Sequence, residues 1–266
     1  MKFFCLFFLL LSCTTYTGKI SSDSPDLVHY TSEHNERQSG KILIPKTPGP
    51  HPGVIVVHGG GWNSRDYTDM DSVAKSLVSH GFVVFNINYR LAPAHKHPAP
   101  IEDLDQALKY FKLHASKFKL DPKRIGLWGY SSGGHIVSYF ALRYAKDTER
   151  KVQAVVSGGA PYDFTWYPYS PIIKKYLGKF RDKMMDEYIE ASPVFKVSSS
   201  APPFFLYHGI SDKLVEFAQT TAFEARLTVL KVPVERHDVK WWGHATTFIF
   251  SEESVVKGIT FLEKHL

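Results

Sequence analysis

The stretch Arg124-Ile-Gly-Leu-Trp-Gly-Tyr-Ser-Ser-Gly-Gly-His135 constrains this chain more than any other. An apolar run, Ile125 to Trp128, meets Gly129-Tyr130-Ser131-Ser132-Gly133, and a helix-like stretch, Ile136 to Ala145, follows. G-x-S-x-G between a strand and a helix demands a turn so tight that the central serine is strained and its hydroxyl stands clear. Gly129 and Gly133 provide positions without side chains, so that neighbouring backbone can approach. The helix behind the turn aims N–H groups and a positive dipole end at the same point. Ser131 has glycine two residues away on both sides, whereas Ser132 has Tyr130 on one side. Ser131 is therefore the candidate nucleophile, and the Ser132 N–H a candidate oxyanion donor. Glycine-rich turns of this kind also occur without chemistry, so the reading depends on partners elsewhere in the chain.

Around this stretch, strand and helix patterns alternate. Leu27 to Tyr30 and Lys41 to Ile44 read as opening strands, and Val54-Ile-Val-Val57 as a strand buried on both faces. A helix from Asp69 to His80, a strand from Phe82 to Asn88 and a long helix from Ala99 to Phe118 lead into the nucleophile strand. Beyond it come strands at Val152 to Ser157, Phe204 to Tyr207 and Val234 to Val239, a helix from Val215 to Val229, and a last helix from Glu252 to Lys264. The alternation predicts an α/β fold, doubly wound, with a mainly parallel sheet of about eight strands. Residues 160–200 break the pattern and read as a small cap insertion, with a helix around Asp182 to Glu190.

The domain organisation follows. Lys2 and the apolar run Phe3 to Leu11 read as a signal peptide over residues 1–12, too short to span a bilayer. Its end, Leu10-Leu11-Ser12-Cys13, resembles a bacterial lipobox, which implies lipidation of Cys13 and membrane attachment in the cell envelope. An ordinary signal peptide with an incidental cysteine, giving a secreted or periplasmic protein, is the alternative. Residues 13–25 form a Thr/Ser-rich tether and 26–266 the folded domain. The 266 residues, 44% hydrophobic, suffice for one substantial core. Both cysteines, Cys5 and Cys13, lie in the signal region, so the folded body holds no disulfide and no thiolate metal site. No H-E-x-x-H spacing occurs among 13 histidines, and neither metal nor cofactor is expected. The net charge of +6 comes from scattered lysines without interleaved aromatics, which argues against nucleic acid as a partner.

Three residues occur in the order Ser131, Asp212, His244, each just after a predicted strand, where parallel sheets place their ligands. With His58-Gly-Gly-Gly-Trp62, Asn88-Tyr-Arg-Leu-Ala-Pro93, Pro100-Ile-Glu-Asp103, Ser192-Pro193, Ala201-Pro-Pro-Phe204, His208-Gly-x-x-Asp212 and Gly243-His244, the chain resembles the α/β-hydrolase esterases of the hormone-sensitive-lipase type. The likeness is strongest to the bacterial feruloyl-esterase-like and acetyl-esterase group. Ser132 stands where that family often has alanine; only its N–H is needed there.

The resemblance implies a triad in which His244 activates Ser131 and Asp212 fixes the imidazole tautomer. It implies an oxyanion hole from the N–H groups of Gly60, Gly61 and Ser132. Asp238 and His237 compete for these roles but lie inside the last predicted strand, and Asp163 is a weaker substitute for Asp212. His135, one helical turn past Ser131, suits packing better than proton transfer. His58 is expected to brace the glycine loop, and Glu102 and Asp103 to buttress Tyr89-Arg90. Trp62, Tyr130, Trp166, Tyr167 and Trp241 are candidates to line the substrate cleft, or simply to pack the core and cap. The implied activity is serine carboxylesterase, on small-molecule or carbohydrate esters with short- to medium-chain, acetyl or hydroxycinnamoyl groups. An amidase or aryl-formamidase would use the same site, and a catalytically dead surface-binding protein is the reading from another class.

Overall fold

A computed structural model describes residues 27–32 and 35–266. The predicted signal peptide and the tether with Cys13 lie outside the described residues. Eight strands form one sheet in the order β1-β2-β4-β3-β5-β6-β7-β8. They are β1 (Val28–His29), β2 (Ser39–Leu43), β3 (His51–Val57), β4 (Val83–Ile87), β5 (Leu120–Tyr130), β6 (Ala154–Gly158), β7 (Phe204–Gly209) and β8 (Val234–Val239). β1 and β2 are antiparallel; every pair from β4 to β8 is parallel.

The period-two alternation of side chains explains the two layers. In β3, Val54 and Val56 face α1 (Asp71–Ser79) and α8 (Glu252–His265), in one core with Val84, Trp128 and Val156. Ile55 and Val57 face the opposite way, into a larger core with α2 (Ala99–Leu113), α3 (Ser132–Arg143) and α6 (Ala218–Val229). Helices on both faces are why these strands read as unbroken apolar runs. The packing leaves no slack at α8: a Cβ on Gly258 would sit 2.5 Å from the Trp128 ring.

The strand order reverses beside β3. The chain passes from β3 outward to β4, then crosses back to β5 on the other side of β3. A crevice therefore opens at the carboxyl ends of β3 and β5, the place where open parallel sheets bind ligands. β3 delivers the His58-Gly-Gly-Gly61 loop to that crevice, and β5 delivers Ser131.

Some boundaries differ from the sequence expectation. α2 stops at Leu113, short of Phe118; Ala115–Lys119 turn the chain back into β5, with Lys119 at a left-handed φ of 55°. The 160–200 segment contains α5 (Met185–Glu190), inside the expected helix, but also α4 (Pro171–Leu177). Its start was legible: the Ser170 Oγ accepts from the Ile173 N–H, and Pro171 occupies the first helical position. His244, expected in a loop, is the first residue of α7 (His244–Phe250). Among the described residues no helix is long and apolar enough to cross a membrane.

Candidate active site

Ser131 occupies φ 55°, ψ −123°, a conformation that residues with a side chain rarely hold. The turn is clamped by the Ser131 N–H to the Gly158 carbonyl at 2.8 Å and the His135 N–H to the Ser131 carbonyl at 3.0 Å. The flanking glycines are obligatory. A Cβ on Gly129 would lie 2.3 Å from the Gly133 oxygen, and one on Gly133 would lie 2.2 Å from the Val57 oxygen. Without those close approaches, α3 could not start directly beneath the serine.

The structure brings Ser131, His244 and Asp212 together. His244 Nδ1 donates to Asp212 Oδ2 at 2.6 Å, so Nε2 is left to accept from the Ser131 hydroxyl at 2.9 Å. Asp212 follows β7 in a tight turn, its Oδ1 accepting from the N–H groups of Leu214 and Val215 at 2.9 and 3.0 Å. Its Oδ2 also accepts from His208 Nε2 at 3.1 Å. Burial alone would raise the Asp212 carboxyl. The hydrogen bonds from His208, His244 and the Val215 N–H outweigh burial and hold it well below the usual carboxylate range. It is a fixed anion facing the Nδ1 side of the imidazole.

Of the competitors, Asp238 pairs with Arg236 on β8, and His237 Nδ1 faces the Ser254 hydroxyl of α8. Asp163 caps the short turn Phe164–Trp166, accepting from the Thr165 N–H. None of the three joins Ser131.

The glycine loop runs directly over the nucleophile: a Cβ on Gly59 would fall 3.3 Å from Ser131 Cβ. Gly60 and Gly61 take φ of 105° and 60°, which turns the peptide units of this segment as L side chains rarely permit. Ser132 opens α3, where the first N–H groups have no intrahelical acceptor. The brace is as expected. His58 stacks on Tyr89 at 4.3 Å, and the Tyr89 hydroxyl lies 3.2 Å from both the His58 and Gly59 carbonyls. Burial pushes His58 down to about 4, so it stays neutral. Asp103 holds the next loop, accepting from the Arg90 N–H at 2.7 Å and Arg90 Nε at 2.8 Å.

The cleft over Ser131 has a volume of about 740 Å³. Its lining includes the apolar Ile172, Leu214, Phe248 and Ile249 and the polar Asn63, Arg65 and Lys175. The aromatic candidates divide. Tyr167 lines the cleft, but Trp166 and Trp241 do not. Trp241 is 88% exposed in the connection between β8 and α7. Tyr130 also borders the cleft but is almost wholly buried, and its hydroxyl donates to the His244 carbonyl at 2.7 Å, so its side chain holds the histidine. Trp62 borders the cleft, but it is almost wholly buried and its indole packs against Tyr176, His135 and Phe164. Sequence reasoning gave no role to His208, although its position four residues before Asp212 was the available signal.

With this geometry in hand, the likeness to known proteins is specific. The BD-FAE family model matches residues 41–227, from β2 through most of α6. The probable carboxylic ester hydrolase LipM of Mycobacterium tuberculosis is 34% identical over 217 residues, which cover 74% of this chain and 50% of LipM. The chain spans about half the length of the first curated relatives it matches. An acetyl ester-xyloside bifunctional hydrolase from Caldicellulosiruptor lactoaceticus superposes with a TM-score of 0.79 at 25% identity, over 92% of this chain and 98% of that one. A truncated carbohydrate esterase from gut microbiota shares the fold at a TM-score of 0.82 and 22% identity, over 90% and 94% of the two chains. The family match covers the glycine loop, the nucleophile turn and the Asp212 turn, and the chain belongs to the BD-FAE family of α/β-hydrolases.

Proposed function

We propose that the protein is a serine carboxylesterase acting on short- to medium-chain, acetyl or hydroxycinnamoyl esters of small molecules or carbohydrates. The observation that carries this is the continuous path from Ser131 Oγ through His244 to Asp212, at 2.9 and 2.6 Å, beneath a glycine loop. Ser131 Oγ attacks the ester carbonyl carbon while its proton passes to His244 Nε2. The carbonyl oxygen becomes an oxyanion, for which the N–H groups of Gly60, Gly61 and Ser132 are the donors. The C–O bond to the alcohol then breaks as His244 returns the proton to the leaving oxygen. Water attacks the acyl-enzyme, giving a proton to His244, and the acid leaves as Ser131 recovers it. Asp212 remains ionised throughout and stabilises the imidazolium. The names of the relatives support ester hydrolysis, and the apolar residues of the cleft, Ile172, Leu214, Phe248 and Ile249, suit an acyl or aryl group.

A fluorophosphonate probe tests the reading. Wild type should be labelled at Ser131 and should hydrolyse p-nitrophenyl acetate, methyl ferulate or acetylated xylan; Ser131→Ala should do neither. No label and no turnover on this panel would leave the binding-protein reading. The same proposal places the enzyme in the cell envelope, anchored through Cys13, on the strength of Leu10-Leu-Ser-Cys13. Radiolabelled palmitate should enter wild type but not Cys13→Ser. An unlabelled, fully soluble wild type replaces anchoring with plain secretion.

A further inference from the structure

The glycine loop closes on itself at the Gly60 carbonyl, which accepts from the Asn63 N–H at 3.2 Å and the Ser64 hydroxyl at 2.8 Å. Three successive residues, Gly60, Gly61 and Trp62, take φ of 105°, 60° and 59°, and the last is not a glycine. Trp62 ties the end of this turn to the rest of the fold through both its side chain and its backbone. The indole is 3% exposed and stacks on Tyr176 of α4 with ring centroids 4.6 Å apart. Its backbone carbonyl accepts from the Ala92 N–H at 2.8 Å. Its Nε1 donates to His135 Nδ1 at 3.2 Å.

That last bond decides the state of His135. An indole nitrogen only donates, so Nδ1 must be the bare nitrogen and Nε2 carries the proton. Nε2 lies 2.8 Å from the Ala191 carbonyl, an acceptor, just past the end of α5. His135 is wholly buried and one turn along α3 from Ser131. One imidazole thus ties the glycine loop, the nucleophile helix and the 160–200 insertion together, and each of its two nitrogens has one partner that fits only this tautomer.

We infer that His135 is a positioning residue that, through its hydrogen bond to the Trp62 indole, sets the Gly60–Gly61 donors against Ser131, with Ala191 holding the tautomer. This rests on the esterase reading, since it assigns a consequence for oxyanion stabilisation. It differs from packing in one respect: the chemistry of Nδ1 matters, and filling the volume is not enough.

Two near-isosteric variants separate the nitrogens. In His135→Asn the amide oxygen falls close to the place of Nδ1 and can accept from Trp62. In His135→Gln the amide reaches the place of Nε2, keeping Ala191 but leaving the indole N–H without an acceptor. Turnover of p-nitrophenyl acetate should fall about 10- to 100-fold in kcat for His135→Gln and for Trp62→Phe, with KM changing less than about threefold. His135→Asn should stay within about threefold of wild type, and Trp62→Phe/His135→Gln should be no worse than the poorer single variant. Affinity for a boronic acid, which mimics the tetrahedral state, should fall in parallel with kcat. The Trp62 indole proton provides a readout independent of activity and folding yield: its NMR signal should resist solvent exchange in wild type and His135→Asn and exchange faster in His135→Gln. Equal kcat in all variants, equal losses in Asn and Gln, or an indole signal indifferent to the Gln change would overturn the inference. A wild type that neither labels at Ser131 nor turns over any ester would instead overturn the esterase reading, while the indole signal would still report on the hydrogen bond.

Discussion

His208 Nε2 donates to the same Asp212 oxygen, Oδ2, that receives the Nδ1–H of His244, at 3.1 and 2.6 Å. His208 is itself held, with Nε2 2.9 Å from the Val215 carbonyl and Nδ1 2.6 Å from the Thr220 hydroxyl. The carboxylate is therefore located by one buried imidazole and used by another. Asp212→Asn should lower kcat about 10⁴-fold, because an amide can present an N–H to His244 and favour the wrong tautomer. His208→Leu keeps the carboxylate but frees its orientation, and should cost about 10- to 100-fold in kcat. Steady-state kinetics on one p-nitrophenyl ester decide it. A His208→Leu enzyme as fast as wild type would mean that the Leu214 and Val215 N–H groups suffice.

The strain at Ser131 sets function against stability. With φ at 55° and ψ at −123°, the residue occupies a region that glycine enters freely and serine does not. Ser131→Gly should abolish turnover and yet raise stability by about 1 kcal/mol, the relieved strain exceeding the added freedom of the unfolded chain. Ser132→Ala should keep most of the activity, since its backbone N–H survives. Urea melts of the two variants provide the measurement; a destabilised Ser131→Gly would show that the serine side chain supports the turn.

Much of this was legible in the sequence because each feature is local. A glycine two residues either side of Ser131, an unbroken apolar run at Val54–Val57 and the post-strand positions of Asp212 and His244 each reflect one turn or one strand. What stayed hidden is tertiary. Whether Trp62 faces a cleft or a core depends on Tyr176 and Phe164, which arrive from the 160–200 insertion over a hundred residues later. Nor does sequence show that Tyr130, at the end of β5, reaches the His244 carbonyl, or that Tyr167 lines the cleft while Trp166 beside it does not. α7 was missed because only seven residues, His244–Phe250, separate Gly243 from the Ser251 break, too few for a clear helical period.

Two buried histidines, His58 and His135, and the half-buried His97 should make the fold sensitive to mild acid. Burial pushes His58 and His97 down to about 4 and His135 to about 3. Their unfolded values lie near 6.5, so between about pH 6.5 and 4 the unfolded chain binds more protons than the folded one. Stability is then fully present above about pH 6.5 and declines as pH falls through that window, by on the order of 3 kcal/mol for each such histidine. The depressed Asp212 carboxyl adds its loss only below its unfolded value of about 3.9. Urea unfolding at pH 7.5, 6, 5 and 4.5 should show the midpoint falling steadily before carboxylates titrate. A midpoint constant from pH 7.5 to 4.5 would mean that these imidazoles accept protons in the folded state at little cost.

Acyl-chain preference should follow from Ile172. A Cβ on Gly61 would lie 3.0 Å from Ile172 Cγ2, so α4 sets this side chain directly against the donor loop, where it limits the cleft. The total cleft of about 740 Å³ must hold both acyl and alcohol parts of an ester. On p-nitrophenyl esters from acetate to palmitate, kcat/KM should therefore decline once the acyl chain exceeds about eight carbons. Ile172→Ala opens the wall by the bulk of a short alkyl group. If octanoate then buries one or two further methylenes, each contributing about 0.8 kcal/mol, its kcat/KM relative to acetate should rise about 4- to 15-fold. Ile172→Trp should shift the preference the other way, toward acetate. A wild type whose rate climbs steadily to palmitate, or an Ile172→Ala profile that overlays that of wild type, would show that α4 does not bound the acyl site.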